Sequence, residues 1–197
     1  LMKALSAFAR RLLEERRGVD ASTREAAKEL GRAGVEGALA AGWLQHTGAD
    51  RVGFARPALR DYFAATGFTG WRDVMAFCAY SPARREALLL WLGLAERDDR
   101  DALLGELAAQ ADAGDYDALL LVAAGAAEAP DFAGVERVVE QLIADGRSSG
   151  GRDAAGPALV ALDVAAASPL ARHLAEGGQS EPYRLWLAGT LLAIDPH

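Results

Sequence analysis

Cysteine occurs once in the 197 residues, at Cys78, so neither an intrachain disulfide nor a cysteine-based zinc site can be assembled. A single thiol fits a reducing cytosol, and a cytoplasmic location is the expectation. Lysine occurs only at Lys3 and Lys28, and asparagine is absent. Neither lysine follows a Gly-x-x-x-x-Gly spacing, so the chain lacks the loop that cradles nucleotide phosphates. No apolar run reaches the roughly 18–20 residues that span a bilayer, and the first residues lack a signal-peptide layout. No membrane partner is expected. The formal net charge of −7 opposes nucleic-acid binding, which draws on a basic face to displace counterions from phosphates.

What is there reads as globular. Hydrophobic residues make up 51 % and charged residues 25 %, enough to bury one core or two small ones. The basic residues are nearly all arginine, and with the abundant Ala and Gly they point to a GC-rich, bacterial coding sequence. The chain opens Leu-Met-Lys inside an amphipathic pattern. That fits an excised segment of a longer chain, the alternative being a complete small protein.

Leu5, Phe8, Ala9, Leu12 and Leu13 recur on one helical face, which predicts a helix over 2–17 closed by Gly18. Ser22-Thr23 caps a second helix ending at Leu30-Gly31, and a third covers about 33–42. The period then changes. Residues 43–47 and 51–55 read as short strands joined through Gly48-Ala49-Asp50, a hairpin signal. Three helices followed by a hairpin is the layout of a winged helix. Pro57 opens the next helix, whose buried side is expected to hold Ala58, Leu59, Tyr62, Phe63 and Phe68.

Beyond Gly70 only helical patterns remain, at about 71–79, 82–95, 99–112, 115–127, 131–145, 155–166, 168–176 and 181–194. Prolines at Pro82, Pro130, Pro169 and Pro182 mark starts or breaks, and the Gly-rich run 146–152 reads as a mobile loop. The fold class expected is mainly α. A winged-helix-like unit with a small hairpin spans 1–68, and an all-α array spans 69–197, either a degenerate HEAT-like solenoid or an irregular bundle. Leu88-Leu89-Leu90-Trp91-Leu92 predicts a helix buried on several sides.

Chemistry-bearing residues are sparse. His46, His173 and His197 show no metal-ligand spacing. Cys78 sits among Val74, Met75 and Phe77, which is a core context rather than that of a nucleophile. The charged run 96–101 places acids where they cap a helix and complement its dipole. Asp112, Asp115 and Asp117 lack the glycine and terminal glutamate of a calcium loop and read as a turn. The candidate recognition helix at 33–42 offers Glu36 and no Arg, Lys, Asn or Gln to base edges. No catalytic set, metal site or cofactor is expected within the chain.

The most specific phrase is Val52-Gly53-Phe54-Ala55-Arg56-Pro57, followed by Leu59-Arg60-Asp61-Tyr62-Phe63-Ala64-Ala65. Leu39-x-x-Gly42-Trp43-Leu44 precedes it and Trp71-Arg72-Asp73-Val74-Met75-Ala76-Phe77 follows. Taken in that order, these residues resemble the end of the winged-helix domain in NACHT-type signalling ATPases of the STAND class. There a strand carrying Phe-x-His leads into a helix with a Gln-Glu-Tyr/Phe-Phe-Ala-Ala pattern. The resemblance covers about a fifth of the chain closely. It implies a regulatory segment working with an upstream nucleotide-binding domain in cis, with the helical array sensing a protein or small-molecule ligand. The family histidine that touches the β-phosphate of ADP is replaced here by Arg56, whose guanidinium can also hold phosphate oxygens. Its alternative role is to pair with Asp61 or to cap local backbone. Asp61 stands where the family usually has Glu, and Arg60 where it often has Gln. The rival readings are a free-standing helical adaptor and, behind it, a winged-helix regulator of DNA.

Overall fold

The computed structural model describes residues 1–15, 19–78 and 84–194. Among them the chain forms twelve α-helices and three strands, divided between two compact units, Leu1–Glu96 and Arg97–His197.

The first unit runs α1 (Met2–Glu14), β1 (Asp20–Ser22), α2 (Thr23–Leu30), α3 (Arg32–Ala40), β2 (Leu44–Gly48), β3 (Arg51–Phe54), α4 (Pro57–Ala65), α5 (Trp71–Cys78) and α6 (Arg85–Leu94). The strands form an antiparallel sheet in the order β1-β3-β2, with Asp20 opposite Gly53 and Leu44 opposite Phe54. Helix, strand, two helices and a hairpin with this strand order make a winged-helix-like unit. The apolar stripe of α1 buries Leu5, Phe8, Ala9, Leu12 and Leu13, all the positions that the 3.6-residue period selects. Ser22 begins α2 with a capping box, its side chain accepting from the Glu25 amide while the Glu25 carboxylate accepts from the Ser22 amide. Strand β1 escapes the sequence reading because it is three residues long and exists only by pairing with β3 some thirty residues later.

The change of pattern near Gly67–Gly70 places a boundary at 68, yet packing divides the chain after Glu96. Helix α6 packs on α4, and α5 is clasped to α1. The clasp is a two-toothed ion pair. Arg10 donates from Nη1 to Asp73 Oδ2 at 2.9 Å and from Nη2 to Oδ1 at 2.8 Å. The same guanidinium lies 4.7 Å from the Phe68 ring centroid and 5.2 Å from that of Phe77. Partial burial, the largest single influence, pushes the Asp73 carboxyl up, but the Arg10 fork and the Thr69 amide and hydroxyl outweigh it and hold it below the usual range. A carboxyl depressed in the folded state stabilises the fold fully above its unfolded pKa of about 4, and that contribution fades as pH falls through the lower folded value. Asp73→Asn should therefore lose about 1 kcal/mol at pH 7 and less below about pH 3. Urea denaturation at the two pH values checks this, and an equal loss at both would remove the charge from the account.

Helix α6 departs from expectation. It buries Ala87, Leu88, Trp91 and Leu92 but leaves Leu90 and Leu94 exposed, so the apolar run is covered on one side.

The second unit holds α7 (Arg97–Asp112), α8 (Tyr116–Glu128), α9 (Val135–Asp145), α10 (Ser149–Ala161), α11 (Val164–Ala175) and α12 (Glu181–Ile194). Three pairs, α7–α8, α9–α10 and α11–α12, stack in two layers. Helices α8, α10 and α12 follow one another in one layer, and α9 and α11 pack together in the other. Helix α10 thus meets α9 of its own pair and α8 and α12 of its own layer, as in a helical repeat. Leu103, Leu104, Val122, Leu142, Ile143, Leu159, Leu170 and Leu187 are among its fully buried residues.

Two expectations about this unit are corrected. The Gly-rich run at 146–152 is not a loop throughout, since α10 starts at Ser149. Ser148 Oγ accepts from the Gly151 amide at 2.9 Å, and Arg152 Nε donates to the Gly146 carbonyl at 2.9 Å. The glycines serve close approach. A Cβ on Gly146 would collide with the Trp186 ring, and one on Gly151 with Asp145. Pro169 is also not a break. It lies buried inside α11, as Pro157 lies inside α10, and each gives up one backbone hydrogen bond within a helix held by its neighbours. By contrast Asp115 does cap α8, accepting from the Ala118 amide at 3.0 Å, as a turn predicts.

Candidate functional site

The strand-to-helix junction of the first unit is anchored from beneath by aromatic rings. Phe54 at the end of β3 lies 5.9 Å from Phe8 and 5.6 Å from Phe63, and Trp43 lies 5.5 Å from Phe63. Phe63 follows from the α4 period, and with Phe54 it fixes the exit of β3 against the start of α4. The Ala55 amide donates to the Trp43 carbonyl at 3.0 Å, so the chain leaves the sheet in one direction.

Arg56 takes the N-cap position of α4 with extended backbone, φ −140° and ψ 140°. Its carbonyl accepts from the Leu59 amide at 3.0 Å, and Pro57 supplies the first helical residue at no hydrogen-bond cost. The side chain caps nothing. It is exposed, and among the described residues it makes no hydrogen bond or ion pair. The pairing of Arg56 with Asp61 does not form, because Asp61 is taken by Arg60 at 2.9 Å. The result is a guanidinium on a rigid base at the positive end of a helix dipole. Chemically, that can meet a phosphate or carboxylate two-pronged.

The expected inner face of α4 is also corrected. Tyr62 is 40 % exposed and Ala58 is exposed, while Asp61, Phe63, Ala64 and Ala65 are buried. A carboxylate at 5 % exposure is tolerable only with its partner, and Arg60 is beside it in sequence. No periodicity argument places an acid inward, so Asp61 was not legible as a buried residue.

The remaining candidates separate. Cys78 is buried, its thiol near the Arg84 carbonyl at 3.6 Å, and burial pushes its pKa up to about 12. A thiol held protonated is no nucleophile at neutral pH. His46 is exposed on β2, and His197 lies outside the described residues. His173 is drawn into a charged cluster that spacing does not reveal. Its Nε2 lies 2.8 Å from Glu140 Oε2 and its Nδ1 3.3 Å from Glu176, with Arg172 also on Glu140. The His173 contact, then Arg172, lowers the Glu140 pKa. This cluster ties α9 to α11. Among the described residues no group of three or more His, Cys, Asp or Glu is disposed to hold a metal ion.

On the winged-helix face, α3 exposes Arg32, Ala33, Glu36, Gly37 and Ala40. Arg51 on the wing is engaged by Asp20, which also accepts from Thr47 at 2.6 Å. The Arg51 charge that could face a phosphate backbone from the wing is thus spent within the unit.

In the second unit α11 and α12 enclose an open groove of about 560 Å³ lined by Ala167, Ser168, Ala171, Leu174, Ala188, Leu191 and Leu192. No charged side chain lines it. No protein-family model, curated protein or solved structure matches the chain.

Proposed function

We propose that this chain is the non-catalytic regulatory segment of a NACHT-type signalling ATPase. The winged-helix-like unit docks on an upstream nucleotide-binding domain of the same polypeptide and responds to ADP against ATP. The six-helix stack is a degenerate HEAT-like array that senses a protein or small-molecule ligand. Contacts that differ between the two nucleotide states shift the balance between resting and active forms. Such a protein works in the cytoplasm.

The observation that carries this reading is Arg56. It sits at the strand-to-helix junction of a winged-helix-like unit, exposed and unengaged among the described residues, where the resembling family places its phosphate-contacting histidine. Arg10, Arg51 and Arg60 of the same unit are, by contrast, each held in an ion pair. In the full-length protein, Arg56→Ala should speed ADP release about tenfold, the worth of one charge-assisted contact, and Arg56→Lys should fall between. Stopped-flow release of a fluorescent ADP analogue measures it. Unchanged release removes Arg56 from nucleotide sensing, and a reading frame with no phosphate-binding loop upstream of Leu1 removes the ATPase altogether.

The second reading is a helical scaffold for protein–protein contacts, favoured by the two-layer stack of α7–α12. It needs no nucleotide, so the ADP experiment divides the two.

A further inference from the structure

We infer that His173 is a proton-operated clasp inside the second unit. With a proton on its ring it ties the end of α11 both to Glu140 of α9 and to Glu176, and without that proton it lets Glu176 go. The inference goes beyond the regulatory reading and stands without it.

The ring sits in the last turn of α11, between two carboxylates. Its Nε2 lies 2.8 Å from Glu140 Oε2, and its Nδ1 lies 3.3 Å from Glu176 Oε2 at the α11 C-cap. Nδ1 is buried and makes no aligned hydrogen bond, so Glu176 is the group that decides its environment. A neutral imidazole has one N–H and one lone pair, whereas an imidazolium has two N–H groups. When the single N–H of a neutral ring serves Glu140, the lone pair of Nδ1 faces a carboxylate and repels it. An added proton turns the same contact into an N–H facing an acceptor. The side chain is only 13 % exposed, so water does little to screen that reversal.

The surrounding charges point the same way. From α9 the ring meets Glu140, which Arg172 of α11 also holds. Arg137 of α9 is taken by Asp112, and Glu136 is exposed. Helix α12 carries Glu181 and Arg184, and among the described residues neither pairs with His173. Two carboxylates and one guanidinium leave a net negative charge, which an imidazolium cancels. The negative end of the α11 dipole favours a positive ring there as well. Glu140, held below the usual carboxylate range first by His173, stays ionised wherever a histidine titrates. What the clasp holds is local. The Glu176 amide donates to the Arg172 and His173 carbonyls at 3.3 and 3.2 Å, and Gln179 Nε2 donates to the same His173 carbonyl. One side chain thus joins α9, the last turn of α11 and the turn that leads to α12.

Native-state hydrogen exchange of the full chain, compared at about pH 5.5 and about pH 7.5 with the intrinsic chemical rate divided out, tests this. Histidines are the side chains that ordinarily titrate in that range. The protection of the amides of residues 172–176 should fall about fivefold to tenfold from the lower pH to the higher, the worth of one charge-assisted contact. Amides of α7 and α8 should keep theirs. His173→Gln retains a donor for Glu140 but takes no proton, so it should flatten the difference. Glu176→Gln should shrink it, because the charge that is first drawn in and then repelled is gone. His46→Gln, on the other unit, should leave it as in the parent. Should His173→Gln fail to fold, the ring C–H resonances of His173 in the parent serve instead, and they should titrate with the same midpoint as the amides. Equal protection of the parent at both pH values overturns the inference. A difference that persists in His173→Gln, or an amide midpoint that departs from that of the ring, overturns it too. None of these outcomes bears on ADP release, so this inference and the nucleotide reading fail separately.

Discussion

Replacing Phe8 by Ala should remove about 3–5 kcal/mol from the first unit, the cost of emptying a fully enclosed aromatic site. Phe8 is 0 % exposed, and its ring lies 5.9 Å from Phe54. Leu5 and Leu12 of the same helix are buried beside it on the α1 stripe, and α1 packs on α4. The site is walled by a helix on one side and a strand end on the other, so it cannot collapse cheaply. The loss compares with the 5–15 kcal/mol that typically holds a domain. Urea unfolding followed by tryptophan fluorescence should show the midpoint of the transition reporting Trp43 move far down. Phe8→Leu should cost less than about 1.5 kcal/mol, because most of the volume is kept. A loss below about 1 kcal/mol for Phe8→Ala would mean that Phe8 is not the keystone of this core.

Gly53→Val is the second large effect, and here two simple arguments oppose one another. Valine prefers strands, and on that ground the change gains up to about 1 kcal/mol. Packing says otherwise. A Cβ on Gly53 would lie 2.5 Å from the Val19 carbonyl oxygen and 3.1 Å from Asp20 Cβ, where the chain enters β1. The nearest obstacle is backbone and cannot swing aside, so β1 must leave the ladder at the Asp20–Gly53 pair. Overpacking of this kind costs about 1–3 kcal/mol or more, which exceeds the propensity gain. The expected result is a net loss of about 2 kcal/mol, with Gly53→Ala milder. Thermal unfolding of the three proteins decides it. A Gly53→Val protein at least as stable as the parent would show that β1 is not held where the register puts it.

Elements that close locally were readable. The α1 stripe, the Ser22–Glu25 capping box, the β2–β3 hairpin and the Asp115 cap each depend on residues a few positions apart. The strand-to-helix junction was legible, because a strand, a proline and an aromatic helix announce it within fourteen residues, whereas attention to Arg56 came only from the family resemblance. Its lack of a partner was not legible, since Asp61 stood close enough in sequence to claim it. The clasp of Arg10 on Asp73 and the cluster around His173 join residues 63 and 33 positions apart, beyond any periodicity.

By itself the sequence determined the class of structure: mainly helical, with one small hairpin and no lysine placed for a phosphate loop. Spacing and capping act over one or two turns, and that range suffices for elements. Tertiary structure decided where the first unit ends, that Asp61 turns inward while Tyr62 turns out, and that a glycine run is half helix. Those outcomes follow from which distant surface each residue meets. Gly146 is glycine because of Trp186, forty residues on, and a local pattern carries no record of that contact.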